Sequence, residues 1–288
     1  MTPDHVSVVL RALSLIALLQ AVGASLFAVL FARYSADSMG PIRGTAGWSA
    51  LAGGALLVAQ YAIEAARMAD DWSGIMDPAL QSLALKSAGG AALVARILGL
   101  SLVSAGLRLG TSGARTVTAI GAILTAGSFA LTGHTSEHPL RALLAPILVV
   151  HVLAIAFWLG SLIPLYLTTA RESAARAARV VEAFSALATW LVPGIAVAGA
   201  LMTLLLVRRW AVFLTPYGWL LIAKVTGFVA LMGLAALNKW RLGPAVATGD
   251  RGSQRAFCLS VATEYALVVA VLAATAVMTT LFSPDPSQ

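Results

Sequence analysis

Three of the chain's four histidines fall within one stretch, GHTSEHPLRALLAPILVVHVLAIAFWLGSLIPLY, from Gly133 to Tyr166. Imidazole is a ligand for copper, zinc, iron and nickel, so this stretch offers a metal site. His134 and His138 stand four apart in a polar loop before an apolar run, and Pro139 suits the first turn of a helix. His151 lies inside that run, roughly 18 Å along a helix axis at 1.5 Å per residue. A polar side chain at that depth in an apolar segment needs a partner.

The spacing limits how these groups share an ion. Either the His134 loop folds inward to make one site with His138 and His151, or two sites form, one at the mouth and one inside. Thioether sulfur selects Cu(I), and Met68, Met76, Met202 and Met278 are expected on the same side as the histidines, which leans the set towards copper. Against this, loop histidines are commonly just solvated, methionines commonly just pack, and His151 has the plain alternative of a hydrogen bond to a neighbouring helix. Trp158, two turns below His151, either walls the same pocket or is ordinary core. The lone Cys258 is placed at the end of the last helix, as a receiver of Cu(I) or as an inert thiol.

Four further ionisable residues sit in apolar segments: Glu64, Arg96, Lys224 and Glu264. By depth, Glu64 and Lys224 fall in the outer half, Arg96 is central and Glu264 is near the inner surface. Glu64 is therefore expected to pair with Lys224 or Arg96, lowering the cost of both charges. The alternatives are a structural ion pair and a part in ion coupling.

The elements that carry these residues follow from composition. Of 288 residues, 59% are hydrophobic and only 11% charged, too apolar for a soluble domain. The formal charge of +7 is scattered between apolar runs rather than gathered in a patch for nucleic acid. A single cysteine excludes an internal disulfide and a CxxC motif. Eight segments are long enough to span a bilayer, near Val6 to Ala32, Gly47 to Met68, Ser87 to Leu107, Val117 to Thr132, Leu143 to Thr168, Phe184 to Val207, Tyr217 to Asn238, and Thr263 to Leu281. The first is too long, and too poor in preceding positive charge, for a cleaved signal peptide. The pairs Gly53, Gly54 and Gly89, Gly90 are expected to let helices approach closely, and Pro146, Pro164 and Pro193 to bend their helices. The expectation is an all-α, single-domain protein over residues 1–288.

Loop charge sets the expected orientation. Arg33, Arg43, Arg108, Arg115, Arg171, Arg176, Arg179, Lys239, Arg241, Arg251 and Arg255 fall on one side, against Lys86, Arg141, Arg208 and Arg209 on the other. The richer side faces the cytoplasm, so both termini are expected to be periplasmic. The outer loop with Asp70, Asp71 and Asp77 then offers arriving cations a favourable field.

The pattern H, P-L-R, then a second histidine and A-x-x-F-W-L-G-x-L-x-P-L-Y resembles the membrane domain of the copper resistance protein D family (CopD, PcoD). LLIAKVTGFVALMGLAALNKWRLGP, with Lys224, Asn238 and Pro244, is similar to a second stretch of that family, and LSVATEYALVVAVLAATAV, with Ser260 and Glu264, to a third. The family-like core runs over about residues 138–281, and residues before about Arg96 match only in general character. The resemblance implies copper transport across the bacterial inner membrane towards the cytoplasm, with a separate CopC-like periplasmic copper-binding protein as partner. On this reading copper is ligated by His151, His138 and His134, completed by Met278 or Met202. The chain has no GxxxxGK[ST] sequence, so no ATP-driven or other enzymatic activity is expected. Two alternatives stand beside transport: a b-type haem redox protein, against which only His151 lies within a span, and an assembly factor that delivers copper without moving it across the membrane.

Overall fold

A computed structural model describes residues 2–109, 113–206 and 210–282, with the side chains of His134, Thr135 and Trp210 outside the description. Among the described residues there are helices and no strand. In chain order they are α1 (Pro3–Leu30), α2 (Met39–Ala69), the short α3 (Pro78–Lys86), α4 (Ala88–Arg108), α5 (Gly113–Gly127), one turn α6 (His134–Glu137), α7 (Arg141–Arg171), α8 (Ala174–Leu206), α9 (Pro216–Leu237), one turn α10 (Gly243–Val246) and α11 (Arg251–Leu281). Eight spans are long and apolar enough to cross a membrane, α5 running on to Leu131 and α9 to Val246. The protein is an all-helical, polytopic membrane protein.

The helices alternate in direction, so the regions beside Pro3 and Leu281 share one end of the bundle, the terminal end. The ion pair of Asp4 with Arg67 (2.8 Å) and the reach of Arg11 to Thr279 and Thr280 (3.5 Å each) join α1, α2 and α11 there. At the opposite end, Glu172 just after α7 accepts from the Asp37 amide (2.7 Å) and from the Ser38 amide and hydroxyl (2.9 Å each).

Several helices are longer than the apolar runs alone suggest. A helix of α11's length spans roughly 46 Å at 1.5 Å per residue, well beyond a hydrocarbon core of about 30 Å. Its polar first turns stay helical because Asp250 caps it, its carboxylate accepting from the Ser253 amide at 2.8 Å.

Helix α1 is the central element, with Leu18, Ala21, Val22, Ala24 and Phe27 buried. It meets α7 backbone to backbone: a Cβ on Gly23 would collide with the Ala156 carbonyl, and one on Gly160 with the Gly23 backbone. Gly99 of α4 and Gly121 of α5 form a second such contact. The glycine pairs singled out from sequence do less. Gly53 has room for a Cβ at 3.6 Å from Ala17, the only neighbour of Gly89 is Ser87, and Gly90 packs against Leu85 within the α3–α4 turn.

Candidate functional site

His151 sits on the wall of α7, about 15 Å from Arg141 along the axis. It faces α8, close to the Ile195 backbone. Its Cε1 is 3.5 Å from where a Cβ on Gly199 would stand, so the ring packs against α8 at ordinary contact distance. Nδ1 is buried without a hydrogen-bond partner. That nitrogen is a position a metal ion could take. Lys224 of α9 is near enough for its charge to act on the imidazole, and among the described residues no acid pairs with it.

His138 lies outside the helix. Its backbone is extended (ψ 141°), as a residue before proline favours, and α7 starts at Arg141 rather than at Pro139. Its Nδ1 accepts from the Leu140 amide at 3.1 Å, which leaves Nε2 to meet a ligand. His134 opens the one-turn α6, and its side chain lies outside the described residues, as do Arg208 and Arg209. The helical rise keeps His138 and His151 on the order of 15 Å or more apart, so those two do not share an ion in this arrangement. Met202, half-buried, is in α8 one turn beyond Gly199. Met278 is buried in a different cluster, with Val212, Tyr217 and Leu221. Among the described residues no group of three or more His, Cys, Asp or Glu side chains converges on one point.

The pairing of the other ionisable residues differs from expectation. Glu64 pairs with Arg67 one turn on (3.0 Å), and Arg67 also holds Asp4. Neither Lys224 nor Arg96 is its partner, because a nearer cation is available at the same exposed end. Arg96 lies about 12 Å from the start of α4, near the middle of that helix. Its Nε donates to the Ser128 hydroxyl at 3.0 Å and its guanidinium lies 4.5 Å over the Phe129 ring. Glu264 lies roughly 20 Å along α11 from its start at Arg251; it is 3% exposed, buried in the bundle, accepts from Asn238 Nδ2 at 2.7 Å and lies beside the Trp158 indole. Trp158 is core, edge-on to Phe228 at 6.2 Å, and a neighbour of that buried acid. Cys258 is half-buried within α11, its sulfur 4.0 Å from the Tyr166 carbonyl.

Residues 178–278 match the family described as copper resistance protein D, and residues 1–142 match the copper resistance protein D-like N-terminal domain. The chain belongs to the copper resistance protein D family. It is a multi-pass membrane protein related to copper resistance. The likeness reaches into the first half, where motif reading had seen only general character, and the two matched ranges leave His151 and Trp158 between them. No curated protein and no solved structure matches the chain.

Sequence reasoning passed over Arg11, which lies inside the first apolar run and whose charge acts on both Arg67 and Glu64. The signal was present, a lone arginine in α1, but its reach across to α11 is a tertiary fact. The acids between α2 and α3 prove to have local tasks. Asp77 caps α3, accepting from the Ala79 amide at 2.8 Å, and Asp70 ends α2 in the left-handed conformation (φ 53°). The Ser73 hydroxyl and amide both donate to Asp71 and hold its carboxyl below the ordinary range, so it stays ionised. Met76 is 86% exposed beside them.

Proposed function

We propose that the protein carries copper across the bacterial inner membrane, taking it from a CopC-like periplasmic carrier at the terminal end and releasing it towards the cytoplasm. The observation that supports this most directly is the open Nδ1 of His151, buried in the membrane span of a copper resistance family member. Ionised Asp71 and the exposed Met76 lie at the end where copper would arrive, and His138 with a free Nε2 stands at the mouth. Lys224 opposes a cation resting beside His151, which suits a step that copper passes rather than a store that holds it. Passage follows a gradient or a coupled ion, without enzymatic activity of the chain itself.

Bis-histidine haem is the weaker reading, since His5 is in the first turn of α1 and His134 and His138 are at the mouth, none at the depth of His151. The experiment is radioactive copper uptake into sealed vesicles holding the purified protein in one orientation. Uptake abolished by His151→Ala supports transport. Copper bound by wild type but not accumulated would favour an assembly factor, and an intense Soret band would favour haem.

A further inference from the structure

Below Trp158 the bundle holds a cavity of about 260 Å³ between α7, α8, the α9 end and α11. It has room for several waters. Lys239 and Trp240, both exposed, stand at its rim at the end away from the termini, and Glu264 and Asn238 line it further in. Residues 238–242 form a π-turn opposite Glu264, a departure from α-helix that is frequent at functional sites.

The hydrogen bonding here is incomplete in one specific way. Asn238 donates its Nδ2 to Glu264 Oε1, yet its own Oδ1 is buried with no donor. An amide offers one donor edge and one acceptor edge, whereas an ionised carboxylate only accepts. A carboxylic acid, with one acceptor oxygen and one O–H, matches the amide on both edges. Burial without a paired cation also penalises the ionised form. Among the described residues the only other charged one in the lining is Lys239, and its amine is bound to the Thr189 hydroxyl at 2.7 Å. Among them too, α7 and α8 contribute no ionisable side chain to the lining, and on α11 Glu264 is the sole one.

We propose that Glu264 and Asn238 form a proton-binding site, loaded and unloaded through this cavity. On loading, a proton from cavity water forms an O–H bond on the free oxygen of Glu264, and that hydroxyl supplies the donor that Asn238 Oδ1 lacks. On unloading, the bond breaks and the proton returns to cavity water, the carboxylate keeping its bond from Asn238 Nδ2. Copper does not fit the same place as well. Among the described residues Met232 is the only sulfur in the lining, and no imidazole or thiol joins it, so the soft donors that Cu(I) selects are nearly absent there. The proton site stands on its own geometry; its use as the coupling ion rests on the transport reading.

The test is infrared spectroscopy of the purified, copper-free protein across pH. A protonated-carboxyl band should titrate in wild type, vanish in Glu264→Gln and shift in Asn238→Leu, which keeps the acid but removes its amide partner. If Glu264→Gln does not fold, Trp158→Phe serves in its place, since removing the polar indole edge beside the acid should also shift the band. A band spectrum unchanged by these substitutions overturns the proposal. So does a band that disappears when sodium is added at fixed pH, because the site is then a metal-cation site. If the band behaves as expected while vesicles take up no copper, the transport reading fails and the proton site remains.

Discussion

Ser38, at the start of α2, donates both its amide and its hydroxyl to the carboxylate of Glu172, which closes α7. Arg176 adds an ion pair at 2.9 Å, so three separate segments are joined at one acid that is 6% exposed. Burial works to raise this carboxyl, but the donors of Ser38 and Asp37 and the charge of Arg176 outweigh it and hold it below the usual range. A depressed folded value means stability that is present above the unfolded value, about 4.3 for glutamate, and is lost as pH falls through the folded one. Glu172→Gln should therefore cost on the order of 3 kcal/mol at neutral pH. Melting in detergent should show that gap constant down to about pH 5 and closing in more acid buffer; a gap independent of pH would mean the bonds do not depend on the charge.

The α1–α7 crossing should be the least forgiving contact in the bundle. Gly23→Leu and Gly160→Leu both drive a side chain into facing backbone, which cannot give way as a flexible side chain does. Each should lose about 3 kcal/mol or more, seen as loss of monodisperse protein in detergent. Gly53→Ala, with its Cβ at 3.6 Å from Ala17, is the matched control and should be well tolerated.

Why one glycine pair matters and another does not is invisible in sequence, since both read as small residues in apolar runs. The count of spans was legible, because length and hydropathy decide it, and so was the odd position of His151. What the sequence hid were the true helix starts. The helix start at Asp250 puts Glu264 well inside α11 rather than near its end, and the choice of Arg67 over Lys224 as partner for Glu64 depends on which cation is nearest in three dimensions. The position of Glu264 beside Asn238 and Trp158 needs three helices to be placed before it can be seen.

The Glu64 assignment predicts additivity. Glu64→Gln removes one arm of a partly exposed pair and should cost about 1 kcal/mol or less. Combined with Lys224→Met, the effects should add within about 0.5 kcal/mol, because the two residues share no partner. A double variant clearly better folded than Lys224→Met alone would restore Glu64 as the partner of Lys224.

Loop charge predicts that Asp71 and His138 face outward and Arg251 inward. Single cysteines at these positions in a Cys258→Ser background, probed with a membrane-impermeant thiol reagent on intact spheroplasts, should label at 71 and 138 only. Arg176 is a poorer probe position, since its substitution also strips an ion pair from Glu172. Labelling at 251 alone would invert the bundle and put the His151 side towards the cytoplasm.

The Gly199 position gives a graded test of His151 that loss of the histidine alone cannot. His151→Ala removes the ligand, and copper binding should fall on the order of tenfold or more, as even the supporting partners of metal ligands are worth that much. Gly199→Ala places a methyl at 3.5 Å from the imidazole Cε1, an ordinary contact, and should bind copper nearly as wild type does. Gly199→Leu extends past that contact distance into the space of the ring and should displace it, so it should resemble His151→Ala although every proposed ligand is retained. His138→Ala, which alters the mouth and not the interior, should slow capture more than it weakens binding. Copper titrations of the folded variants decide the matter: equal affinity for Gly199→Leu and wild type would mean that His151 is held there to bridge α7 and α8, and that copper takes another route.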